Sequence, residues 1–144
     1  STFCISEVDM ALQFSVAARN AMRDAIETAT GATAILRLRT GAPPATCATA
    51  DSGTLVAEMT LPSDWMAAAS GGTKALLGTW QDLSANAAGT VAHFRIYDST
   101  GVTCHAQGTV TITGGGGDMT LDNNVLALAQ QVTITSYTYT AANA

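Results

Sequence analysis

Val110-Thr111-Ile112-Thr113 recurs as Val132-Thr133-Ile134-Thr135, and other runs of this chain alternate apolar with small polar residues in the same way. Neighbouring side chains on a strand point to opposite faces. Period-two alternation rich in Val, Ile and Thr therefore prescribes strands with one buried and one wet face. A chain built of such strands must cover their apolar faces with a second layer, which makes an antiparallel β-sandwich or jelly roll the natural solution. A parallel βαβ arrangement would need helices between strands, and the pattern supplies none there.

The strands can be followed one by one. Leu36 and Leu38 alternate with Arg37 and Arg39 until Gly41-Ala42-Pro43-Pro44 stops the run. Leu55, Ala57, Met59 and Leu61 form a second apolar face, ended by Pro62, and a loop of small residues runs from Ser63 to Thr73. Ala92, Phe94 and Ile96 alternate with His93, Arg95 and Tyr97 before a hairpin turn at Asp98-Ser99-Thr100-Gly101. Val102, Cys104, Ala106, Gly108, Val110 and Ile112 then share a face, with Gly108 expected to split the run in two. Gly114 to Gly117 breaks it and reads as a flexible connection, Met119 and Leu121 mark a short strand, and Asp122-Asn123-Asn124 a turn. The last strand, Gln131 to about Thr140, puts Val132 and Ile134 on one face and Tyr137 and Tyr139 on the other, where they would meet another surface.

One segment has helical period. Between Phe14 and Ala29, Phe14, Ala18, Met22, Ile26 and Ala29 fall on one face and Arg19, Asn20, Arg23, Asp24 and Glu27 on the other, with Gly31 placed to end the helix. The expectation is an amphipathic helix whose apolar face covers the sheets. Residues 1–9 differ in texture and read as an N-terminal arm. Residues 10–144 read as a single β-sandwich (jelly-roll) domain.

Little here can do chemistry. There are two His, one Lys and 12% charged residues. His93 and His105 would face each other if their strands paired about Ser99-Thr100, but only Asp82 suggests itself as a third metal ligand and nothing in the spacing selects it. Gly114 to Gly117 and Ser70-Gly71-Gly72-Thr73-Lys74 lack the rest of a phosphate loop. Asp118 and Asp122 lack the glycine and terminal Glu of a calcium loop. No GxSxG nucleophile elbow occurs. The sequence therefore predicts no enzyme, no cofactor, no metal and no catalytic residue. A net charge of −5 argues against a nucleic-acid partner, since phosphate binding needs clustered cations and Arg37 with Arg39 is the densest basic pair.

Cys4, Cys47 and Cys104 are odd in number and lack CxxC spacing, so unpaired thiols in a reducing cytosol are expected. No apolar run approaches a membrane span, and no signal-peptide pattern opens the chain, so no membrane partner is expected. Trp80 reads as core. Trp65, following Pro62-Ser63-Asp64, reads equally as core or as an interface anchor with Met66.

The stretches Met10 to Met22, Gly41 to Ala45, Ala57 to Trp65, Phe94 to Gly101 and Gly114 to Asp122 resemble small virion proteins of tailed bacteriophages, in particular head decoration (cement) proteins. The likeness runs from Met10 to the C-terminus, and residues 1–9 depart from it. It implies a jelly roll carried in many copies on the capsid surface, made in the host cytoplasm and bound to the major capsid protein. It brings no catalytic residue. On this reading Phe3 and Ile5 of the arm, Trp65, Met66, Tyr137 and Tyr139 are the candidate contact residues. Self-association is expected, a dimer before a trimer. A tail or baseplate module that binds a host receptor or glycan is the alternative.

Overall fold

The computed structural model describes residues 12–140. The arm at residues 1–9, with Phe3, Cys4 and Ile5, lies outside the described residues. The described residues are mainly β with one helix, α1 (Val16–Thr30). Ser15 caps its N-terminus, its hydroxyl accepting from Ala18 N–H at 3.1 Å. Gly31, at φ 86°, ends it by donating to Glu27 O at 2.8 Å, a turn that a side chain would strain.

Eleven strands follow among the described residues: β1 (Ile35–Arg39), β2 (Leu55–Thr60), β3 (Thr73–Ala75), β4 (Trp80–Asp82), β5 (Gly89–Thr90), β6 (His93–Tyr97), β7 (Cys104–Ile112), β8 (Met119–Leu121), β9 (Val125–Leu126), β10 (Val132–Ile134) and β11 (Thr138–Thr140). Five form a sheet in the order β2-β1-β6-β7-β8, and β10-β4, β11-β3 and β5-β9 form three two-stranded ladders. Leu36, Leu38, Phe94, Ile96, Val110 and Met119 of the sheet share one core with Trp65, Trp80, Val132, Ile134 and Tyr137. The aromatics interlock: Trp80 lies 5.9 Å from Trp65 and 5.7 Å from Tyr137, and Phe94 meets Tyr137 edge-on at 5.5 Å.

Three strand expectations change. β7 runs unbroken through Gly108, which is kept small because a Cβ there would come within 2.8 Å of Phe94 and of Asp118. The run Gln131 to Thr140 is not one strand; it leaves β4 after Ile134 and joins β3 from Thr138. β7 and β8 pair in parallel, Val110 opposite Met119, across a connection far shorter than parallel neighbours usually need. The glycines make that return fit. Gly117 N–H donates to Thr111 Oγ1 at 3.0 Å, and a Cβ on Gly117 would sit 2.9 Å from Thr111 N. Gly115 and Gly117 are therefore closely fitted against Thr111, while Gly114 and Gly116, at φ 87° and 83°, turn the chain in open space.

One edge of the five-stranded sheet is blocked by side-chain and loop groups. On β2, Glu58 N–H donates to Asp82 Oδ2 at 3.0 Å, and Val56 O accepts from Asn86 N at 2.7 Å. No helix among the described residues is long and apolar enough to cross a membrane.

Candidate functional site

β6 is buried along its whole length, on both faces. Phe94 and Ile96 face the core as the alternation requires. His93, Arg95 and Tyr97 face the other way, and there the segment Thr40 to Thr54 folds over the sheet as a cap. His93 Nδ1 donates to Gly41 O at 2.7 Å, Arg95 Nη2 donates to Cys47 O at 2.7 Å, and Gln107 Nε2 of β7 donates to Pro44 O at 2.6 Å. Asp51 is the hub. Its carboxylate takes Arg95 at 2.6 Å, Arg39 at 3.3 Å and Arg37 at 3.5 Å, and accepts from the Tyr97 hydroxyl. Arg37 also pairs with Glu58 at 2.7 Å and stacks 4.3 Å from the Tyr97 ring centre. The basic pair that stands out in the sequence is therefore spent on holding a loop.

The histidine pair is not assembled. β6 and β7 pair with His93 opposite Thr109, and a register slip between Ile96 and Tyr97 places His105 in an irregular position. His93 is fully buried and His105 exposed. No cluster of three or more His, Cys, Asp or Glu among the described residues is arranged to hold a metal.

The helix docks the other way round from the sequence expectation. Its polar stripe faces the domain, because the segment Ser63 to Thr73 offers backbone donors that no strand satisfies. Asn20 Oδ1 accepts from Gly72 N–H at 2.8 Å, Asp24 Oδ1 from Ala69 N–H at 2.9 Å, and Glu27 Oε2 from Met66 N–H at 3.1 Å. The three side chains sit about one turn apart, so they read three amides in succession. Lys74, 1% exposed, completes the seam with Asp24 at 2.7 Å and Glu27 at 2.9 Å. Burial lowers the Lys74 pKa, but the hydrogen bonds to Asp24 and Glu27 outweigh it and leave the value raised. The Lys74 hydrogen bond, with the Ala69 amide, holds the Asp24 carboxyl below its ordinary value. Beyond the carboxylates, Trp65 Nε1 donates to Gly31 O at 2.9 Å and ties down the helix end.

What the helix and the residues leading into it turn outward is largely apolar. Leu12, Phe14, Val16 and Met22 are 70%, 36%, 48% and 38% exposed, and Ala17, Ala21, Ala25 and Ala29 are exposed beside them.

The candidate contact residues fare differently. Trp65 and Met66 are each 1% exposed, and Tyr137 is core. Tyr139 is half-buried, its hydroxyl 3.2 Å from Met66 Sδ and its ring beneath Arg23 at 5.7 Å. Of the two readings of Trp65, core or interface anchor with Met66, the structure places both residues in the core, with the indole hydrogen-bonded to the helix end and the thioether against the tyrosine. The surface met by Tyr137 and Tyr139 is the domain's own. The helical period shows an apolar stripe in the sequence, but period alone does not say which stripe points inward.

No protein family model, curated protein or solved structure matches this chain.

Proposed function

We propose that this chain is a structural virion protein that binds the outside of a phage capsid and cements neighbouring major capsid protein subunits, with no chemical step. The observation that carries the reading is the inverted helix. A helix that spends its polar groups on its own domain and offers Met22 and a row of alanines to solvent, with Phe14 exposed just ahead of its N-cap, is built to be covered by another protein. Alanine lets a partner backbone approach closely, and Phe14 and Met22 supply the apolar grip. A jelly roll is part of the same proposal. A jelly-roll-like sandwich is supported by the way the ladders β10-β4 and β11-β3 share one core with the five-stranded sheet. Many copies on a shell, each with a modest interface, would raise the cost of opening it without any single tight contact. Contact between copies, a dimer before a trimer, is part of the same proposal, as is docking by the arm at residues 1–9 through Phe3 and Ile5.

The alternative, a tail or baseplate module for a receptor or glycan, has one feature in its favour. An open groove of about 430 Å³ is lined by Thr113, Asp122, Asn123, Gln130, Thr133 and Ser136 among others. Its hydroxyls and amides suit hydrogen bonding to a sugar, but it lacks the aromatic platform on which a sugar ring stacks. The helix face is the stronger feature.

The test is Met22→Glu combined with Ala25→Glu. The variant should fold with an unchanged circular dichroism spectrum and fail to decorate heads made without the protein. Normal decoration, with heads as heat-resistant as those carrying the parent protein, would sink the helix contact. If heads lacking the protein altogether resist heat as well as complete ones, the cement function itself is wrong.

A further inference from the structure

The register slip in the hairpin has a chemical result. From His93 to Ile96, β6 faces β7 in regular order, ending with Ile96 opposite Ala106; the next pair is Tyr97 with Cys104. Paired residues share a face of the sheet. Ala106 therefore follows Ile96 toward the core, and the extra residue, His105, lets Cys104 follow Tyr97 to the capped face. The cap brings Cys47 to the same place, its carbonyl held by Arg95 at 2.7 Å. Cys47 and Cys104 are half-buried free thiols that line one cavity of about 270 Å³ with Arg95 and Tyr97.

We propose that Cys47 and Cys104 form a reversible disulfide that staples the cap to β7 when the protein meets a small-molecule disulfide. This inference concerns the capped sheet face and does not rest on the proposed capsid contact. The Cys47 thiolate attacks the oxidant RSSR, giving a Cys47–SR mixed disulfide and one RS⁻. Cys104 then attacks the Cys47 sulfur and expels the second RS⁻. The two thiol protons go to the two RS⁻, so the protein loses two hydrogens and one RSSR becomes two RSH. Burial, and next to it Cys47, pushes the Cys104 pKa up to about 11, so Cys104 rests as the thiol and serves as the second, resolving sulfur. The Arg95 guanidinium opposes that shift and favours the Cys104 thiolate as it forms. A bond here would close a loop containing β2 to β6 and remove freedom from the unfolded chain.

The full chain is incubated with oxidised glutathione, alkylated and digested with trypsin. Lys and Arg positions place Cys4, Cys47 and Cys104 in three different peptides. A linked Cys47–Cys104 peptide pair is expected, with a melting temperature higher by about 5–10 °C that dithiothreitol reverses. Cys4→Ser should leave both effects intact, and Cys47→Ser or Cys104→Ser should abolish both. Dibromobimane, which fluoresces only after bridging two nearby thiols, should label the reduced parent protein, so the geometry is read even if a serine variant does not fold. A glutathione adduct that stays on Cys47 without closing, a link through Cys4, or alkylation by dibromobimane without fluorescence would each overturn the proposal.

Discussion

The cap over β6 and the helix α1 both cover the sheet domain through polar contacts, yet they are fastened on opposite plans. The cap hangs on a hub: three arginines and a tyrosine from β1 and β6 converge on Asp51. The helix hangs on a ladder: Asn20, Asp24 and Glu27 take one backbone amide each, with Lys74 bracing two of the rungs. A hub concentrates its cost in one residue. A ladder spreads it, so the rungs should fail in steps.

The hardest test of the contrast is Asp51→Asn. It leaves Arg95, 1% exposed, without its counter-charge. Breaking a buried pair from one side costs about 3–5 kcal/mol, and the low end applies because the Asp51 side chain is 27% exposed. Urea unfolding should report that loss; a change under about 1 kcal/mol would show that the cap does not depend on its hub.

Lys74→Ala should cost less, about 2 kcal/mol, because Asp24 and Glu27 lie nearer the surface and can turn to water. The same denaturation measurement checks it, and a loss larger than that of Asp51→Asn would reverse the ranking.

Alkali should separate the two covers further. Arginine stays charged at any accessible pH, whereas lysine does not. Lys74 has a raised folded pKa, so its contribution is whole below its ordinary value of 10.5 and vanishes as pH climbs through the folded value. Tyr139, raised to about 12 chiefly by burial, and Tyr137, raised further by burial, lose their contributions in the same direction above 10. Melting curves against pH should therefore fall above about 10.5, and Lys74→Arg should delay part of that fall. On the acid side, Asp24 contributes stability that is present above 3.8 and fades as pH drops through its lower folded value.

The smallest effect sharpens the ladder most. Asn20→Ala removes one rung, about 0.5–1.5 kcal/mol. Hydrogen exchange should quicken at the Gly72 amide and leave the Ala69 and Met66 amides protected. Loss of all three together would mean that the helix leaves as a unit.

The same contrast explains what could be read in the residues themselves. Alternation located β1, β2, β6 and β8, because each has a face whose fate depends on its immediate neighbours. Helical period located α1 to within two residues at its start. Neither period carries information about distant partners. The inward turn of the polar stripe depends on loop amides at Met66, Ala69 and Gly72, 39 to 52 residues away in sequence, so the helix was legible and its orientation was not. Arg95 and His93 look like wet-face residues because Gly41, Cys47 and Asp51, which bury them, are not adjacent in the chain. The histidine pairing failed because the turn pairs Tyr97 with Cys104 and one further residue is inserted beyond it, which together put His93 opposite Thr109 instead of His105, a detail set by the turn rather than by periodicity. The outward face of α1, the stronger candidate for function, was visible as a stripe but assigned to the wrong side.

The sealed margin of β2 bears on how such molecules tolerate crowding. An open strand edge invites a neighbour to add its own backbone, and such fusion is cooperative and hard to undo. With Asp82 over Glu58 N–H and Asn86 over Val56 O, that route is closed on one side of the sheet. Copies held close together along this flank must meet through side chains, whose contacts form and release individually. An array assembled on those terms can expel a misplaced member and try again.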